Sequence, residues 1–91
     1  MAEIDASATI SAGPTTLYGV EVVTDGNNNA VVIGYNKTSS DGIGAANKVF
    51  EFTVTAANHY GGRNWIPGIR CDTGLYVTVA GTGASAIINN S

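Results

Sequence analysis

The sequence predicts a small all-β protein, one antiparallel β-sandwich of about seven short strands, jelly-roll-like or Greek key in connectivity. Three observations predict it. Glycine, at twelve of 91 residues, recurs with asparagine at short intervals and cuts the chain into brief segments. Those segments are rich in Val, Ile, Thr, Tyr and Phe, which suit a pleated, half-buried surface. No glycine-free stretch of ten or more residues carries the 3.6-residue period of a helix.

Residues 6–11 make the first expected strand, ended by Gly13-Pro14. Residues 1–13 as a whole read as the first strand of the domain or as an arm pairing with a neighbour's sheet. Residues 16–24 alternate, and Tyr18, Val20 and Val22 form a cleaner apolar face than Leu17, Gly19, Glu21 and Val23. The polar run Asp25-Gly26-Asn27-Asn28-Asn29 tolerates positive φ, and residues 30–36 return as a second apolar segment. This is the strongest hairpin signal in the chain. Residues 37–46 are the longest loop, followed at 48–55 by a half-buried strand with Phe50, Phe52 and Val54 on one face. Residues 56–63 form a second loop with His59, Tyr60 and Gly61-Gly62. Residues 65–71 are extended but interrupted by Pro67-Gly68. A central strand cannot spare that amide, so a bulge or an edge strand is expected. Asp72-Thr73-Gly74 turns into residues 75–80, and Gly81-Thr82-Gly83 turns into the last strand, 84–89. Face-to-face packing would bury Val20, Val22, Val31, Ile33, Phe50, Phe52, Val54, Leu75, Val77 and Val79.

No linker, charge block or internal repeat divides the chain, so residues 1–91 read as a single domain. Charged residues are 12% of the total, about half the usual ~25%, and the net charge is −3. Four scattered cations, Lys37, Lys48, Arg63 and Arg70, cannot form the basic stripe that nucleic acid or an anionic membrane surface requires. The first residues lack the basic and apolar regions of a secretory signal, and one cysteine, Cys71, fits synthesis in a reducing cytoplasm.

The chemistry of catalysis is poorly represented. Cys71 and His59 are the only thiol and imidazole, and Cys71 reads as a small buried hydrophobe. Residues 25–29 begin like a calcium loop, but an EF-hand would need Gly and Glu where Ala30 and Asn36 stand. Glu21, Glu51, Asp41 and Asp72 show no cleft-forming context for paired-carboxylate hydrolysis. Gly42-Ile43-Gly44 and Gly81-Thr82-Gly83 lack the lysine and helix of a phosphate loop. The expectation is no enzyme, with no catalytic, metal or cofactor residues.

Binding is better served. Tyr60 and Trp65 are candidate interface anchors, with Tyr18 and Tyr35 as further aromatics, although Trp65 beside Ile66-Pro67 also reads as a core plug. A glycan-binding module would use Trp65, Tyr60 and Asn64 as its platform. In the last strand Ile88 follows Ala84 and Ala86 on one face and Ile87 follows Ser85 on the other. A strand apolar on both faces is a poor free edge, so it is central in a sheet or covered by another subunit, and Ile87 and Ile88 join the candidate interface.

Residues 17–32, Leu-Tyr-Gly-Val-Glu-Val-Val-Thr-Asp-Gly-Asn-Asn-Asn-Ala-Val-Val, and residues 68–86, from Gly-Ile-Arg-Cys-Asp-Thr-Gly-Leu-Tyr-Val to Gly-Thr-Gly-Ala-Ser-Ala, carry a family resemblance. Their strand-turn pattern resembles small all-β virion structural proteins of tailed bacteriophages and prophages. The resemblance implies a capsid decoration (cement) protein or a head or tail fibre component, made in the host cytoplasm and carried on the virion. It implies the major capsid protein or other virion proteins as partners, and a homo-oligomer, with a trimer favoured. A fibre shaft would need a long repeat, which this chain lacks, so the compact decoration role is preferred.

Overall fold

Where Val, Ile, Thr and aromatic residues alternate with small polar ones, the chain extends into strands, and each Gly- or Asn-rich interval bends it. The structure is a computed structural model and describes residues 2–91. Its strands are β1 (Ala2–Ile4), β2 (Ala8–Ser11), β3 (Thr15–Val23), β4 (Ala30–Tyr35), β5 (Lys48–Val54), β6 (Tyr60–Cys71), β7 (Leu75–Ala80) and β8 (Ser85–Asn90). A single 3₁₀ turn, Ala45–Asn47, precedes β5. The expected sandwich is present, with one strand more than the sequence predicts.

The strands form two antiparallel sheets of four, in the orders β1-β8-β3-β6 and β2-β7-β4-β5. β1 pairs with β8, β2 with β7, β3 with β6 and β4 with β5. The first half of the chain therefore runs back along the second as one long ribbon. Ladders between β3 and β8 and between β4 and β7 close the rolled ribbon on itself. This is jelly-roll connectivity. The segment read as a strand or an arm supplies β1 and β2, each paired within its own chain.

The core lies between the sheets. Leu17, Val20, Val22, Ala86 and Ile88 face inward from one, and Ala30, Val32, Phe50, Val54, Leu75 and Val77 from the other. Two strands depart from their expected phase. In β3, residues 17–19 oppose only Asn90 and Asn89 of β8. The extra residue is a β-bulge, which reverses the alternation. Leu17 is therefore buried and Tyr18 points outward. In β4 it is Ala30 and Val32 that face the core, while Val31 and Ile33 are half-buried on the outer side. Gly34 shares the inner face with Ala30 and Val32, and the Phe50 ring packs directly over it, where a Cβ would overlap the ring. Only the phase that turns a glycine toward Phe50 fits.

The Asp25–Asn29 turn forms, but it does not make a hairpin. β3 already has β8 and β6 at its two edges, so β4 crosses to the opposite sheet. The turn chemistry fixes the reversal of the chain without fixing which sheet the next strand joins. Gly26 adopts φ +85°, and Asp25 Oδ1 accepts from the amides of Asn27 (2.8 Å) and Asn28 (2.9 Å). Those amides, with the Asn28 side chain, hold the Asp25 carboxyl below its ordinary pKa. A depressed folded value means stabilisation that is full above the unfolded pKa, about 3.9, and lost as pH falls through the lower folded value. Asp25→Ala should therefore lower the melting temperature at neutral pH, with the gap to the parent closing as the pH falls below the ordinary carboxylate range. A gap independent of pH would show that the ionised carboxylate does not stabilise the turn.

Candidate functional site

The outer face of the β1-β8-β3-β6 sheet gathers most of the residues available for binding. β3 presents Thr16, Tyr18, Glu21 and Val23 there, β8 presents Ser85, Ile87 and Asn89, and β6 presents Tyr60, Asn64 and Arg70. The phenol of Tyr60, 56% exposed, donates a hydrogen bond to Glu21 Oε1 at 3.2 Å. That carboxylate lifts the Tyr60 pKa, first by the hydrogen bond and then by its charge. Arg70 Nη1 donates to Thr16 Oγ1 at 3.3 Å, and Arg70 Nε lies 3.6 Å from Asp72 Oδ1.

Strand β6 is the exposed edge of this sheet, as Pro67 requires. Leu17 and Gly19 pair with Ile69 and Asn64, so residues 65–68 stand outside the ladder as a broad bulge. The Ile66-Pro67 peptide is cis, and Gly68 packs against Thr16 and the Tyr18 ring. Ile66 stands 96% exposed on this bulge, and Tyr18, whose ring packs near Gly68, is 43% exposed. An aliphatic side chain so fully in water adds nothing to the core of the folded monomer.

The sequence-predicted residues divide. Tyr60 is exposed as expected, although it opens strand β6 and does not lie in a loop. Ile87 is half-buried on the outer face. Ile88 is wholly buried between the sheets and offers nothing to a partner, because one residue along a strand reverses the face. The last strand is central, flanked by β1 and β3, so it is not a free edge. Trp65 turns inward, half-buried, with its ring centroid 5.4 Å from that of Phe50 and the Arg63 guanidinium 5.9 Å from its centroid. It packs against the core from the β6 side. Ile66 escaped sequence reasoning, and the signal that marks it is the Pro67-Gly68 interruption, since a bulge re-aims the residues beside it.

The thiol and imidazole lie apart. Cys71 ends β6, while His59, at φ +64°, precedes the first residue of the same strand. The strand's length separates them by on the order of 30 Å. Burial pushes the Cys71 thiol pKa up, and Asp72 adds to the shift. A thiol so placed is a poor nucleophile. The oxygens of Asp25 are engaged by the amides of their own turn.

Comparison with protein-family models, with curated proteins and with solved structures found no match to this chain.

Proposed function

We propose that this protein is a structural component of a bacteriophage particle, a decoration or cement protein that binds the assembled capsid surface and stabilises it through protein–protein contacts. The observation that carries the reading is the exposed Ile66 on the β6 bulge, together with the exposed Tyr18 of the neighbouring strand, on a protein of low charge. Tyrosine is enriched at protein interfaces, and their centres are apolar and depleted of charge. The jelly-roll sandwich agrees with the role without establishing it, because one fold hosts many functions. The separation of Cys71 from His59, and the raised thiol pKa, favour a binding protein over an enzyme. A decoration protein that engages only the assembled lattice stabilises that lattice by mass action. The major capsid protein is the proposed partner, and a homo-oligomer, with a trimer favoured, is the proposed form on the virion.

Two measurements test this. Quantitative mass spectrometry of particles from the phage or induced prophage encoding the chain should find it at a fixed fraction of the major capsid protein. Ile66→Asp should melt within a degree or two of the parent, yet bind particles lacking the protein about thirtyfold more weakly, the loss expected of a hot-spot residue. Absence from particles sinks the proposal. Undiminished binding by Ile66→Asp removes the anchor on which it rests.

A further inference from the structure

The β3 bulge leaves a shallow depression of about 100 Å³ in the outer face, lined by Gly19, Val20, Glu21, Asn64, Ile87 and Asn89. We propose that this depression binds neutral saccharide, seating one edge of a single sugar ring. The depression is built by the backbone. The ladders of β3 with both β6 and β8 shift register between Leu17 and Gly19, which draws Asn64 and Asn89 opposite the same glycine. Asn64 Oδ1 lies over Gly19 so closely that any Cβ there would collide with it.

The chemistry of the lining selects the ligand. The carboxamides of Asn64 and Asn89 are exposed, and no hydrogen bond to the described residues engages either. Each offers a donor and an acceptor side by side, the arrangement that pairs with hydroxyl groups, which also donate and accept. Glu21 is steadied through Oε1 by the Tyr60 phenol, leaving Oε2 to accept from further hydroxyls. Ile87 supplies one apolar wall for the C–H face of a ring. Charge excludes the alternatives. Among the described residues no cation lines the depression, Glu21 stands in it, and Glu3 of β1 pairs with Ile87 at its side, which disfavours phosphate or an acidic sugar. A single carboxylate with two amides is also a weak set for a metal cation, which prefers several charged oxygens. A rigid neutral polyol satisfies every group present. The site differs from one built on Trp65, whose ring faces the core, and it does not depend on residence in a virion.

So small a contact implies dissociation constants on the order of millimolar. The test is a titration of the isotope-labelled chain, followed by NMR, with glucose, galactose, mannose and N-acetylglucosamine to about 50 mM each, and with N-acetylneuraminate as the anionic control. Saturable shifts should appear for at least one neutral sugar at the Asn64 and Asn89 side-chain amides, the Ile87 methyls and the Gly19 amide. Asn89→Ala, an exposed change whose fold the same spectrum verifies, should weaken that binding at least tenfold. The proposal is overturned if no neutral sugar gives saturable shifts, if only the anionic control binds, or if binding survives Asn89→Ala unchanged.

Discussion

Ile88→Ala is expected to destabilise the fold by about 4 kcal/mol, within the range for removing buried aliphatic side chains, while Ile87→Ala, one residue earlier, should cost less than about 1 kcal/mol. The contrast follows from the pleat. Ile88 pairs with Val20 of β3 and with Ala2 of β1 on the inner face, and none of its surface reaches solvent. Strand β8 is held on both sides, so the backbone cannot close around the vacated volume. Ile87 points the other way, between Glu21 and Glu3, and borders the outer depression. For a domain whose total stability is about 5–15 kcal/mol, the Ile88 loss is a large fraction, and the melting temperature should fall by roughly 15–30 °C. Urea titrations of both variants, with unchanged m-values, measure the two costs. Equal costs would mean that the face assignment of β8 is wrong.

That experiment touches the boundary of what the sequence discloses. Alternation alone set the faces of β5 and β7 correctly, because no extra residue interrupts the runs that place Phe50, Leu75 and Val77 inward, whereas in β8 it separated Ile87 from Ile88 without showing which of them faces the core. In β3 it placed Val20 and Val22 inward correctly but failed at Leu17 and Tyr18, because the Leu17–Gly19 bulge inverts the phase there and a bulge depends on the register of both neighbouring strands. It failed for β4 because both faces are apolar, so hydropathy cannot choose between Val31 with Ile33 and Ala30 with Val32. The turn at Asp25 was legible as a turn, but the sheet that β4 joins depends on the long-range pairs of β3 with β6 and β8. The binding surface was harder to read. Tyr60 stood out by residue type, and Ile66 could be found only through the proline beside it. The depression combines Gly19, Asn64 and Asn89 from three strands distant in the chain, which no local pattern brings together.

Gly34→Val should lower stability by about 3 kcal/mol, the cost of forcing extra methyl groups into a packed core, and lower the melting temperature by roughly 12–24 °C. The Phe50 ring occupies the space where any side chain at position 34 would begin, and Phe50 in turn packs against Trp65. Displacing Phe50 must therefore move Trp65, and its fluorescence should change in the folded protein before any unfolding. Adding Phe50→Leu to Gly34→Val should recover part of the loss, because the smaller side chain vacates the contested volume. A coupling energy of about 1 kcal/mol or more in that double-mutant cycle is expected for residues in direct contact. Additive effects would mean that Phe50 does not set the phase of β4. Trp65 also borders the β6 bulge that carries Ile66, so the same variant links the core to the proposed docking surface. Gly34→Val should weaken particle binding by loosening the base of the bulge, whereas Ile66→Asp should weaken it with the core intact. Near-parent binding by a folded Gly34→Val protein would show that the projection holds its shape independently of the Phe50–Trp65 contact.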